Sequence, residues 1–164
     1  WIAKGGAVDF GTMRRNKIYA IVEGHGEADT SKSGRRPAIT ILVARILQSL
    51  GSPGIYPNEK HPPFRMSYGE FFRGDKLERA VRYHAKYTDC AALLILLDMD
   101  DECPAQKAAD LVTRVRSLGD LGFSVAVVCA KREYESWFLA SLESIHQGKR
   151  ILETPKRYAM PKDT

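Results

Sequence analysis

Along residues 91–103, seven apolar positions run without a break from Ala91 to Leu97. Four acids then follow within five positions: Asp98, Asp100, Asp101 and Glu102. A membrane-spanning helix needs about 20 apolar residues, so this run is too short for one. An unbroken apolar run of this length reads as a strand buried on both faces, the mark of a parallel sheet covered by helices. A second strand is predicted over Lys17-Ile18-Tyr19-Ala20-Ile21-Val22, rich in β-branched and aromatic residues. A third is predicted over Phe123 to Cys129.

Between the strands the apolar spacing changes to three and four. Ile39, Leu42, Val43, Ile46, Leu47 and Leu50 predict an amphipathic helix opened near Pro37 and stopped by Gly51. Leu77, Ala80, Val81 and His84 predict a second helix over 75–87. Pro104 opens a third, with Leu111, Val112, Val115 and Leu118 as its apolar stripe and Gly119 at its end. A fourth is predicted from about Ser136 to His146, where Trp137, Phe138 and Leu139 read as core. Gly51 to Gly74, with Pro53, Pro57, Pro62 and Pro63, reads as a long connection holding one short strand near Ile55. The alternation predicts an α/β domain over 17–147, with a mostly parallel sheet of about four strands flanked by helices and right-handed crossovers. Residues 1–16 read as a flexible arm and 148–164 as an irregular basic tail.

Composition adds little to this outline. The 164 residues are 44% hydrophobic and 27% charged, which excludes a disordered chain. The net charge of +5 leans towards nucleic acid or another polyanion. Cys90, Cys103 and Cys129 form neither a disulfide framework nor a zinc spacing, so a cytoplasmic location is expected. No leader or membrane segment is legible. A start at Trp1 instead of Met suggests a piece of a longer protein.

The candidate chemistry lies where the strands end. In chain order, Glu23 and Glu27 follow the strand at 17–22, Asp98 and Asp100 the strand at 91–97, and Glu133 and Glu135 the strand at 123–129. In a parallel sheet these ends share one edge, and ligands of open α/β sheets bind there. If the chain stays extended, Asp98 and Asp100 point to the same side. Oxygen ligands converging on one point suit Mg²⁺ or Mn²⁺, and without a cation so many carboxylates repel one another. Taken singly, Glu27, Asp101 and Glu102 read as helix caps or solvated loop residues, and Glu133 and Glu135 also fit a helix first turn. His25 reads as a turn residue, with a role as ligand or acid/base beside Glu23 as the alternative. Paired basic residues, including Arg14/Arg15, Arg35/Arg36 and Lys131/Arg132, can meet phosphates or form solvated faces. The glycine turn Glu23-Gly24-His25-Gly26 is not followed by Gly-Lys-Ser/Thr, which disfavours a P-loop.

Val22-Glu23-Gly24-x-x-Glu27, Leu96-Leu97-Asp98-Met99-Asp100 and Glu133-Tyr134-Glu135-Ser136-Trp137, in this order, resemble the Toprim domain of topoisomerases, bacterial primases and OLD-type nucleases. The likeness is greatest to OLD-type relatives, in particular a bacterial Toprim-like family of unknown function often paired with an ATPase in phage-defence or mobile loci. The resemblance implies that Glu23 is a metal ligand or general acid/base and that Asp98 and Asp100 bind metal. It implies that Glu27 and Glu135 serve a second metal. Gly51 to Gly74 departs from a minimal Toprim domain, and no ATPase domain is legible in this chain. The expected activity is hydrolysis of DNA or RNA phosphodiesters by Mg²⁺ or Mn²⁺, with Lys131 or Arg132 offsetting phosphate charge. Two alternatives are a non-catalytic Mg²⁺-binding module that docks on a partner ATPase, and a phosphatase using Asp98 as nucleophile.

Overall fold

The computed structural model describes residues 15–24 and 36–131. Strand β1 is Lys17–Val22, and helix α1 is Ala38–Ser49. Two short strands follow, β2 at Tyr56–Pro57 and β3 at Phe64–Arg65. Helices α2 (Tyr68–Phe72) and α3 (Lys76–His84) lead into the long strand β4, Cys90–Asp98. Helix α4 (Pro104–Arg116) and strand β5 (Ser124–Ala130) complete the described fold.

The sheet is parallel throughout, ordered β2-β1-β4-β5, with β3 also paired to β1. Every described connection between its long strands passes through a helix, as parallel pairing requires. Register sets the two faces. Ile21, Ile95 and Val127 lie side by side across β1, β4 and β5, as do Tyr19, Leu93 and Val125. This face packs on Phe71, Leu77, Val81, Leu111 and Val115 of α2, α3 and α4. On the other face Val22 and Leu96 pack on Ile39 and Val43 of α1. Leu93, Ile95 and Leu97 are therefore buried from one side and Leu96 from the other, which explains why β4 shows no polar alternation.

The expected α/β architecture is the one found, and β1 has the predicted bounds. Gly51 takes φ 57 just beyond α1, a left-handed position that glycine reaches without a Cβ clash. The 51–74 connection holds more structure than one short strand. Its two halves, β2 and β3, meet β1 at Lys17–Ile18 and at Ile21–Val22. Helix α2 closes it, and Ser67 and Glu70 form its capping box, with the Ser67 N–H donating to Glu70 Oε2 at 2.8 Å. Asn16 and Arg15, at the end of the stretch read as an arm, are tied down. The Asn16 N–H donates to Asp89 O at 3.0 Å, and the Arg15 guanidinium donates to Gly122 O. The remaining arm residues 1–14, the helix expected over 136–146 and the tail 148–164 lie outside the described residues. Among the described residues, no helix is long and apolar enough to cross a membrane.

Arg114 of α4 holds the helical layer together. Its Nε and Nη2 donate to the two oxygens of Glu78 on α3, each at 2.7 Å. Its remaining donors cap the carbonyls of Phe71 and Gly74, the latter at 2.8 Å. The Arg114 fork holds the Glu78 carboxyl below its usual pKa. At the amino edge of the sheet, His84 is 3% exposed and its Nδ1–H donates to Ala80 O, 2.8 Å away. It sits among Tyr19, Phe64, Tyr83 and Tyr87. Burial lowers its pKa, against the opposing pull of the Ala80 carbonyl.

Two outcomes follow from these contacts. Arg114→Ala strips a half-buried carboxylate and two carbonyls of their partner, so urea denaturation should show a loss of about 2–3 kcal/mol. Stability should also fall as pH drops below about 6.5, because the unfolded chain takes up a proton that folded His84 resists. The slope from this one group is at most about 1.4 kcal/mol per pH unit, and His84→Phe should flatten it in melting curves recorded across that range.

Candidate functional site

The carboxyl ends of β1, β4 and β5 lie on one edge, in the order that brings β4 between the other two. Val22 is level with Leu96, so Glu23 leaves β1 beside the end of β4. Its Oε2 accepts the backbone N–H of Asp98 at 3.1 Å. This bond crosses from one strand to the next and fixes the Glu23 carboxylate against the last residue of β4. Asp98 is level with Ala130, and Lys131 follows at once as an exposed residue. Glu23 and Asp98 are both half-buried. Two of the expected acids and the expected lysine therefore meet at adjacent strand ends.

Asp100 is placed differently from its extended-chain expectation. The ladder closes when the Met99 N–H donates to Ala130 O at 3.0 Å, and the Met99 side chain is fully buried. Asp100 then adopts φ 37 and is exposed, and the Glu102 N–H closes the turn on Met99 O at 2.7 Å. The chain must pass from strand to Pro104 at the start of α4 within five residues. A left-handed residue makes that reversal, and Asp is one of the few side chains that tolerates the conformation. The period-two argument thus fails at Asp100 because φ 37 breaks the extended backbone there.

Asp101 is exposed, and Glu102 serves the fold. Glu102 accepts from Tyr68 Oη at 3.1 Å and pairs with Lys107 Nζ at 2.9 Å, linking α2 to α4. Lys107 and then Tyr68 hold the Glu102 carboxyl below its usual pKa. Glu102 is therefore a tether between two helices and not the helix cap expected of it; α4 has Cys103 at its N-cap and no side-chain cap hydrogen bond. Burial pushes the Cys90 and Cys129 thiols up to about 11, which keeps both protonated and poor nucleophiles at neutral pH. His25, Glu27, Arg132, Glu133 and Glu135 lie outside the described residues.

Among the described residues, no group of three or more His, Cys, Asp or Glu side chains is placed to hold a metal ion. Glu23 and Asp98 are the two acids that the described strand ends bring side by side, of the donor type that Mg²⁺ takes. That ion is commonly held by one or two carboxylates, keeps several waters and takes further oxygens from a substrate phosphate. A groove of about 460 Å³ lies elsewhere, between the end of α1 and β2, lined by Leu47, Gly51, Pro53, Ile55 and Tyr56. None of its lining residues is charged. The tie from Glu23 to the Asp98 amide left no trace in the sequence. The Glu102 tether was partly signalled by the Ser67-x-x-Glu70 box that forms α2.

The turn at Asp100 permits a clean separation of fold from chemistry. Asp100→Gly removes the carboxylate but suits φ 37, and thermal melting should show unchanged or slightly higher stability, by up to about 1 kcal/mol. Asp100→Val should lower it by about as much or more. No protein-family model matches the chain, and no curated protein or solved structure matches it.

Proposed function

We propose that this chain is a Toprim-type, Mg²⁺- or Mn²⁺-dependent phosphodiester hydrolase acting on nucleic acid. The observation that carries the reading is the Glu23 carboxylate anchored on the Asp98 amide, at the shared carboxyl edge of β1 and β4. Two half-buried carboxylates at adjacent strand ends are the kind of oxygen donor that a divalent cation takes. Glu23 and Asp98 would hold the ion, with Asp100, Glu27 and Glu135 as the further acids that the Toprim resemblance implies. When bound, the cation supplies Lewis-acid polarisation of the phosphoryl oxygens. The chain's own part is positional. The Asp98 N–H orients Glu23, whose carboxylate would bind the ion or move a proton at the attacking water. Lys131, one residue beyond the Asp98 partner Ala130, brings positive charge to the scissile phosphate. The net charge of +5 favours a polyanionic substrate. Action in the cytoplasm beside a partner ATPase belongs to the same proposal.

A second reading has one observation in its favour. Asp100 stands exposed in a left-handed turn, outside the strand that presents Asp98. A non-catalytic Mg²⁺-binding module would need no more than this geometry.

Melting with and without metal, followed by incubation with plasmid, single-stranded DNA and tRNA, separates the two. At Mg²⁺ or Mn²⁺ tenfold above its dissociation constant, the wild type should gain about 3–6 °C. Asp98→Asn should lose that gain, and with it about 100-fold or more of the cleavage. A shift without cleavage would select the module. No shift in either protein would remove both.

A further inference from the structure

Residues 60–87 carry seven Lys and Arg against three acids, so most of the chain's net charge of +5 sits in this one stretch. The fold concentrates it further. Arg79, Arg82 and Lys86 fall on one exposed face of α3 and its extension, with Tyr83 among them. Arg79 pairs with Asp75 in solvent, and Glu78 is engaged by Arg114. Arg82 and Lys86 make no ion pair among the described residues. Helix-dipole complementarity accounts for basic residues in the last turn of α3. It does not account for the aromatic rings set among them.

Phe64 of β3 is 40% exposed and Tyr83 of α3 is 46% exposed. Their ring centroids are 6.4 Å apart. Both rest edge-on against the buried His84, at 6.1 and 5.8 Å, so the two rings are held from beneath. Lys86 Nζ lies 5.7 Å from the Tyr83 centroid. Arg65, next to Phe64 and exposed, is level with Val22, one residue before Glu23. A surface of rings and cations therefore starts at the acidic edge and continues onto α3.

We infer that this surface binds single-stranded nucleic acid, with bases stacking on Phe64 and Tyr83 and phosphates meeting Arg82 and Lys86. Fixed, solvent-facing rings between cations suit unpaired bases, which offer a π-face to any aromatic side chain. A duplex keeps its bases stacked and leaves such rings idle. The surface works whether or not Glu23 and Asp98 cut the strand, so it stands apart from the hydrolase reading.

Fluorescence anisotropy of a labelled oligothymidylate with the full chain, in EDTA, tests this without any turnover. Phe64→Leu and Tyr83→Leu keep apolar bulk and remove the ring, and each should weaken binding about tenfold. Ile46→Ala, an exposed apolar residue of α1 on the other face of the sheet, should leave it unchanged. Arg82→Gln with Lys86→Gln should reduce the slope of log affinity against log salt by about 1.4. Any one of four results would overturn the inference: no binding by the wild type, equal affinity for the matching duplex, equal displacement by polyglutamate, or unaltered binding by a folded Phe64→Leu/Tyr83→Leu protein.

Discussion

Everything in this fold depends on burying β4 from both sides. Its apolar residues cannot face water on either surface, so the strand must lie inside a sheet with helices above and below. Parallel neighbours follow, because a helix inserted between successive strands returns the chain to the same end of the sheet. Tyr19, Ile21, Leu93, Ile95 and Leu97 then meet the α2–α4 layer, and Val22 and Leu96 meet α1. Parallel pairing has a further result. It aligns the carboxyl ends of β1, β4 and β5, so residues far apart in sequence become neighbours at one edge.

At that edge the backbone does as much as the side chains. Glu23 is placed by accepting from the Asp98 amide, one step past the last pair of the β1–β4 register. Met99 is drawn into the core, and this forces the turn that lifts Asp100 out of line. Neighbouring acids thus divide between roles. Glu23 and Asp98 stay at the strand ends, Asp100 takes the turn, and Glu102 braces α2 against α4 through Tyr68 and Lys107.

The irregular 51–74 stretch gains its order from its neighbours. Two short strands, too short to persist alone, are held by pairing with β1. The second of them carries Phe64 and Arg65 to the side of α3. Arg114 reaches back from α4 to cap the Phe71 and Gly74 carbonyls, closing the same stretch at its other end. The region that departs most from a minimal α/β domain is therefore the one that builds the ring-and-cation surface.

Local pattern determined the elements of this protein. Unbroken apolar runs marked β1, β4 and β5, three-and-four spacing marked α1, α3 and α4, and glycine and proline marked their ends, because burial and backbone sterics act over a few residues at a time. The same pattern placed Glu23 and Asp98 at strand ends and, through parallel topology, at one edge. What it did not contain was decided by tertiary structure. The bond from the Asp98 amide to Glu23 joins residues 75 positions apart. The departure of Asp100 from the strand depends on where Met99 finds its pocket. The meeting of Phe64 with Tyr83, and of Arg114 with Glu78, depends on how β3, α3 and α4 pack. Each of these is a contact between elements, and sequence spacing along one element carries no information about it.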